Sequence, residues 1–497
     1  MKAAFIHHRR LWAVCLSSFL IYLFHIGPLP GVNEIRYINQ TRAIVDDGVM
    51  HIDRYHHNTM DKGFINGHYY PTAPPGLSLL AIPLYLAVKT LLSVIPGSAL
   101  SQYDVAQYIH VLLGNPDAPD DFVATYPFFD FLICHLLFTA VLCCLVSTGL
   151  MIMLDRALRM FTPGVTETQR LWLLIVYAFG TLMFFYSTRF FAHASSALTL
   201  FGAFLVLYGM KRRDLGGGWA FAAGMLNGLA LFIDYVTFPA VIVIGIYGLF
   251  TVEKRDLWRY IVGSSLPVIG LLSYHTLSFG HPFKMPQHLM SGEDGAGYSD
   301  QFGLGFPDPV ILLKLLFSTY RGFFLYMPVM LFAAFALLRG LLDTHHPHRR
   351  EWGVIGGIFM ALLLFNSCLK INWVGGYIFG PRYLIPAIPF MIIALGEAYR
   401  YFPGWLIGMA GMISILINWA GVQYIVSQTA YGAVLSFLLS GPTTQSYQFI
   451  ETYFHTMAGW NVAISPVGGF MLLSLIIWGT WRIIGGDAST EPDAHHQ

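Results

Sequence analysis

Charge is what this chain has least of. Asp, Glu, Lys and Arg make up 11% of its 497 residues, while 56% are hydrophobic and 15% aromatic. A soluble domain carries about a quarter charged residues, so an ordinary soluble domain is excluded. The net charge of +1 comes with no large basic patch, which excludes nucleic acid as the partner. The five cysteines (Cys15, Cys134, Cys143, Cys144 and Cys368) fall inside apolar segments or at their edges. None has the spacing of a metal knuckle and none lies in a charged loop, so they read as packing residues. No internal repeat is evident, which counts against transporter folds built from duplicated halves.

What is present is a succession of apolar runs, each roughly 20 residues long and able to cross a bilayer. Because lipid offers backbone groups no water, such runs are helices, and the chain reads as an all-α polytopic membrane protein. Lys and Arg mark cytoplasmic ends. With His7–Arg10, Arg156/Arg159/Arg170, Lys211–Arg213, Lys254/Arg255/Arg259, Arg349/Arg350 and Arg400 inside, the spans fall at 10–27, 127–153, 171–188, 192–210, 218–234, 236–252, 259–279, 322–342, 352–370, 384–399, 404–425 and 462–482. That is about twelve crossings in a single integral membrane domain, 1–497, with both termini inside. The N-terminal stretch is expected to be an uncleaved first span, since no small-residue cleavage site follows it. Segment 76–95 is apolar enough to cross but is expected to lie at the outer surface, because 97–126 carries Asp104, Asp117, Asp120 and Asp121 without Lys or Arg. If 76–95 does cross, a further crossing at 99–114 or 308–320 restores the parity. The outer face then collects 28–126, 189–193, 280–321, 371–383 and 426–461, and 483–497 reads as a disordered cytoplasmic tail.

The scarce charges concentrate in Gly31–Pro75, GVNEIRYINQTRAIVDDGVMHIDRYHHNTMDKGFINGHYYPTAPP. Glu34, Asp46, Asp47, Asp53 and Asp61 alternate there with Arg36, Arg42, Arg54 and Lys62. Glu34 follows the first span closely, and a carboxylate at a membrane boundary can act as a general base toward a hydroxyl or amine. The plain alternative is a solvated loop with local ion pairs. A second constellation, Asn372–Leu384 (NWVGGYIFGPRYL), sets Trp373, Tyr377, Tyr383 and Arg382 beside Gly375 and Gly376. An arginine fork there suits a phosphate, and an aromatic belt with a snorkelling arginine is its plain alternative. Arg189 and His193 in the turn between two spans need a partner, either a lipid phosphate or the interface itself. Arg321 reads as facing outward, and Asp234 as a solvated turn residue. His51, His56 and His57 can bind a metal, although adjacent loop histidines more often do not, so a metal is left open. Asn39-Gln40-Thr41 matches a glycosylation sequon as a short pattern only. His345, His346 and His348 read as a solvated loop, and Gly216–Gly218 as a turn.

Together these segments resemble the GT-C superfamily of polyprenyl-phosphate-sugar-dependent membrane glycosyltransferases, in the branch of the protein O-mannosyltransferases and the lipid A aminoarabinose transferase. The family's acidic pair after the first span is matched by Asn33-Glu34, with Asn where Asp is usual. Gly67-His68-Tyr69-Tyr70-Pro71 and Pro74-Pro75-Gly76 resemble its entrance into a helix, and Gly375-Gly376 with Gly380-Pro381-Arg382-Tyr383 its late segment. The resemblance implies a GT-C-like helical first loop and transfer from a polyprenyl-phosphate-linked sugar to a glycan, lipid or protein acceptor. The transfer inverts the anomeric carbon, on the periplasmic or exterior side of a bacterial inner membrane. Glu34, or else Asp46, Asp47 or Asp61, is then the base. Lys62, Arg382 and Arg189 hold the phosphate, and His68, Tyr69, Tyr70, Trp373, Tyr377 and Tyr383 face the sugar or acceptor. No cofactor is implied. A transporter or flippase of lipid-linked saccharide is the rival reading; it expects charges buried midway along spans, where this chain has almost none.

Overall fold

The computed structural model describes residues 2–28, 30–94, 128–286, 304–376, 378–424, 429–447 and 466–485. The expectations for 97–126, for Tyr377 and for the tail after 485 therefore lie outside the described residues.

The chain is mainly helical, and six of its helices are long and apolar enough to cross a membrane: Gly76–Ser93, Asp130–Phe161, Ala192–Lys211, Leu257–Phe279, Arg349–Cys368 and Gly404–Gln423. Shorter apolar helices cover Trp219–Ile233, Tyr235–Thr251, Met330–Leu342, Ala430–Ser440 and Pro466–Thr480. Many large apolar side chains on these helices face outward, Phe250 at 82% and Leu277 at 87% exposure among them. Water would oppose so much exposed apolar surface, and lipid accommodates it. The segment 76–95, expected at the surface, contains the first of the membrane-length helices. Its first residue, Gly76, sits against the Phe232 carbonyl, where a Cβ would come within 2.3 Å.

Three expected spans are not continuous helices. The one at 171–188 stops at Phe179, where Gly180 leaves helical geometry, and restarts as Met183–Ser187. The one at 322–342 splits into Phe323–Tyr326 and Met330–Leu342 around Pro328, which has no N–H for the ladder. The one at 384–399 begins as a 3-10 turn, Arg382–Ala387, containing Pro386, and turns α-helical only over Ile388–Glu397. Conversely, 127–153 extends to Phe161 through a π-helical stretch at Ala140–Leu145.

Helix packing is close where side chains are small. Gly224 and Gly228 on one helix and Gly263 on its neighbour bring Trp219–Ile233 and Leu257–Phe279 backbone to backbone; a Cβ at any of them would lie within 2.4 Å of a carbonyl oxygen. Such small-residue seams are how helices associate when lipid removes the hydrophobic drive between them.

The Gly31–Pro75 region is folded, not a simple loop, and it adds the strand pair found among the mainly helical described residues. Helix α2 (Val32–Arg42) follows α1 (Lys2–Phe24) almost at once. Strands β1 (Lys62–Ile65) and β2 (His68–Pro71) then pair antiparallel, Lys62 opposite Pro71 and Ile65 opposite His68. The connection is Asn66-Gly67, with φ of 53° and 84°, the left-handed pair that a two-residue hairpin turn requires. Helix α3 (Gly76–Ser93) leaves the hairpin and packs on α2. Asn39 is fully buried and donates to the Tyr55 carbonyl and the Asn58 side chain, so its sequon is closed to modification in the fold.

Ion pairs gather at the helix ends. Lys211–Glu351, Asp155–Arg159, Asp256–Arg259 and Glu397–Arg400 sit at one set of ends. His193–Asp234 and Arg36–Asp61 sit at the other. A 20-residue helix such as Ala192–Lys211 separates the two levels by about 30 Å, the thickness of a bilayer core. His346 belongs to the first level and is buried, accepting from the Trp352 indole at 2.8 Å, and His348 lies against Tyr208; neither forms the solvated loop expected of them.

Candidate functional site

The site begins with how α2 starts. Gly31 is extended (φ −82°, ψ 172°), and the Glu34 carboxylate turns back to accept its N–H. The other carboxylate oxygen accepts the Phe190 N–H at 3.3 Å, and Glu34 is 2% exposed. Both oxygens of this candidate base are thus committed to backbone donors. Arg189, next to Phe190, is buried and donates to Gln445; burial pushes its pKa down and the Glu34 charge opposes that shift.

Two residues further along α2, Arg36 reaches the hairpin. Its Nη1 donates to Asp61 Oδ2 at 2.6 Å and to the Thr72 hydroxyl at 2.8 Å, and its Nη2 to the Tyr37 hydroxyl at 3.2 Å. The Thr72 hydroxyl donates to the second Asp61 oxygen. Burial disfavours the Arg36 charge, but Asp61 and Tyr37 outweigh it and hold the pKa above the ordinary arginine value. Beside Asp61, Lys62 donates to the His56 carbonyl at 2.7 Å and lies over the Tyr69 ring. Tyr69 in turn stacks on His56, with centroids 3.8 Å apart. Burial, then the Lys62 charge, push the His56 pKa down to about 3.

The late segment meets α2 here. Arg382 Nη1 donates to Asn33 Oδ1 at 3.2 Å, so Asn33 anchors the arginine against α2. Arg382 is 8% exposed, flanked by Phe191 and Tyr383, and close enough to Arg36 for the two charges to oppose each other. Gly375 makes room for it: φ is +71°, and a Cβ would lie 3.0 Å from Arg382 Nε. The Nε atoms of both Arg36 and Arg382 are buried with no hydrogen-bond partner among the described residues. Two unsatisfied guanidinium donors on mutually repelling arginines are a strong demand for an anion, because a buried N–H without an acceptor costs about 1–3 kcal/mol.

Two residues that read as peripheral in the sequence lie at this level. Asp234 is not solvated: it is 7% exposed and its Oδ2 lies 2.8 Å from His193 Nδ1. A proton on Nδ1 leaves Nε2 as a lone pair, and that atom is buried without a partner among the described residues. Tyr37 is within electrostatic reach of Arg36, Asp61 and Asp234 together. Arg321 lies at this level too. It is fully buried and clamps the late segment, donating to the carbonyls of Val374 (2.7 Å), Gly376 (2.7 Å) and Tyr320 (2.8 Å).

Other candidates lie elsewhere. Asp46 accepts from Tyr85 at 2.6 Å and Lys89 at 2.7 Å, tying the end of α2 to α3. Burial would raise its pKa, but those two donors hold it below the ordinary value. Asp47 is exposed and pairs with Arg54. Tyr70 is 6% exposed and edge-on to Phe279 in a cluster with Leu271 and Tyr274, so its ring is already covered. His68 is bound to Asp53. Trp373 is half-buried beneath the Lys314 ammonium. Tyr383 accepts from Asn372 at 3.2 Å as well as from Arg382. The cysteines form no disulfide among the described residues, and four of the five are buried.

Comparison of the chain with family models, with curated proteins and with solved structures gives no match.

Proposed function

We propose that the chain is a GT-C-type membrane glycosyltransferase. It moves a sugar from a polyprenyl-phosphate donor to an acceptor at the extracytoplasmic face, with inversion at the anomeric carbon. The observation that carries this reading is the pair of arginines, Arg36 (side chain 11% exposed) and the buried Arg382, each with a buried, unsatisfied Nε. They meet across the Arg382–Asn33 contact at the level opposite to the Lys211–Glu351 pair. The phosphate diester that joins sugar to polyprenol keeps two free oxygens for these guanidinium donors, and the monoester formed on departure of the sugar adds a third. A lipid carrier delivers the diester from the surrounding bilayer, which the outward-facing apolar helices fit. The chain then crosses about twelve times, with the broken segments at 171–188 and 322–342 completing spans in two pieces.

In this reaction the acceptor hydroxyl attacks the anomeric carbon, the bond from that carbon to the phosphate oxygen breaks, and the hydroxyl proton passes to a carboxylate. Asp61 is the better placed base. Glu34 has both oxygens under backbone N–H groups, whereas Asp61 is held by Arg36, and a phosphate that draws Arg36 to itself frees an Asp61 oxygen. The leaving polyprenyl phosphate keeps the electron pair and is stabilised by Arg36 and Arg382 in a site of low dielectric.

The test is to incubate the purified protein with a panel of radiolabelled polyprenyl-phosphate sugars and a membrane extract as acceptor source. Release of free polyprenyl phosphate, abolished in Asp61→Asn and weakened in Arg382→Ala, is expected. No release from any donor overturns the reading, and full activity in Asp61→Asn removes Asp61 from the base role.

A further inference from the structure

His51, Asp53 and His68 form a second cluster, at the rim of the folded outer region, that the proposed transfer does not use. The backbone builds it. The Ile52 N–H donates to the Tyr69 carbonyl at 2.7 Å, and the Tyr69 N–H donates to Asp53 Oδ1 at 2.6 Å. These two ties lay segment 51–53 along β2, where His68 stands opposite Ile65. Asp53 Oδ2 is left between the two imidazoles, 2.6 Å from His68 Nδ1 and 3.0 Å from His51 Nδ1. The rings stack with centroids 4.2 Å apart and planes 18° from parallel, and the three ligand atoms lie within 4.8 Å of one another.

We propose that these three side chains bind a divalent transition ion of the zinc class. Two imidazole nitrogens and one carboxylate oxygen suit zinc and its first-row neighbours, whereas magnesium and calcium prefer all-oxygen sets. In a tetrahedral zinc site, bonds of about 2.0–2.1 Å place neighbouring ligand atoms about 3.3 Å apart. Binding one ion requires the two Asp53 contacts to open to that spacing and the stacked rings to turn so that both Nδ1 lone pairs meet it, and the His68 side chain, 46% exposed, has room to turn. The ion replaces the proton between His68 and Asp53, and gives a partner to His51 Nδ1, which is buried without a hydrogen bond among the described residues. The Tyr69 N–H on Oδ1 orients the carboxylate, as hydrogen bonds to the far side of a metal ligand do. Three protein ligands leave a coordination position to water or to an oxygen of a bound molecule. The ion also staples segment 51–53 to the hairpin, and so fixes the Tyr69–His56–Lys62 stack next to Asp61.

The probe is Zn²⁺ added to metal-stripped full-length protein in detergent, with bound zinc counted after gel filtration. Wild-type protein is expected to retain about one equivalent more than the His51→Gln/His68→Gln variant. Zinc is expected to raise the melting temperature of the wild type only. Glutamine keeps a polar group at each position, and equal melting temperatures of the two proteins in chelator establish that the variant folds. Should the double variant unfold, His68→Gln alone, at a largely exposed ring, carries the same comparison. Equal zinc content and equal melting shifts in wild type and variant overturn the site. Neither readout involves sugar transfer, so this result stands or falls apart from the proposed reaction.

Discussion

Asp61→Asn tests the centre of the site by stability as well as by activity. The Arg36–Asp61 contact is 2.6 Å long, and the two side chains are 11% and 13% exposed. Removing one partner of a fully buried pair costs about 3–5 kcal/mol, because the other charge is stranded. Here some solvent reaches both groups, and Arg36 keeps Thr72 and Tyr37, so the expected loss is smaller, about 2–3 kcal/mol. Removing both charges in Arg36→Met/Asp61→Asn leaves no unpaired charge, and about 1–2 kcal/mol of that loss is recovered as coupling energy. The assay is reversible unfolding in mixed micelles for wild type, both single variants and the double variant. An Asp61→Asn variant within about 0.5 kcal/mol of wild type refutes the buried-pair argument, as does a double variant no better than the sum of the singles.

Three further outcomes follow from single observations. Gly375→Ala forces a side chain into a backbone with φ of +71° and 3.0 Å from Arg382 Nε. It should cost about 1–2 kcal/mol and raise KM for the phosphate donor more than it lowers kcat; an unchanged KM counts against the late segment as the phosphate clamp. Arg321→Met removes the donor from three carbonyls and should cost about 2–4 kcal/mol. It should open 371–380 to limited proteolysis, and an unchanged cleavage pattern would contradict its clamping role. Burial and Lys62 push the His56 pKa down to about 3 from an ordinary 6.5, so the unfolded chain binds a proton that the folded chain refuses. Its contribution is intact above pH 6.5 and fades as pH falls from 6.5 toward 3, so the melting temperature should fall more steeply over that window in wild type than in His56→Gln.

The sequence was most legible where a run of apolar residues had no breaker. Expectations at 192–210, 218–234, 259–279 and 352–370 lie within a few residues of His193–Lys211, Trp219–Ile233, Leu257–Phe279 and Arg349–Cys368. It was least legible where composition hides local geometry: Gly180, Pro328 and Pro386 interrupt runs that hydropathy alone joins. The hairpin had a signal that went unused, since Asn66-Gly67 between Lys62-Gly-Phe-Ile and His68-Tyr-Tyr is a turn pair between short strands. At the site, residue types and loop positions pointed to Glu34, Asp61, Lys62 and Arg382, but pairings across the fold were not readable. Arg36 finds Asp61 25 residues away, and His193 finds Asp234 41 residues away, through contacts that only tertiary packing makes. Asp234 therefore looked solvated, because an ion without a visible partner in sequence is assigned to water.

The most direct measurement is equilibrium binding of a short-chain polyprenyl monophosphate, without any sugar, to wild type, Arg36→Gln and Arg382→Gln in the same detergent. If both guanidinium groups grip one phosphate, wild type binds and each substitution weakens binding by about tenfold or more, roughly 1.4 kcal/mol each. Equal affinity in all three proteins would contradict it.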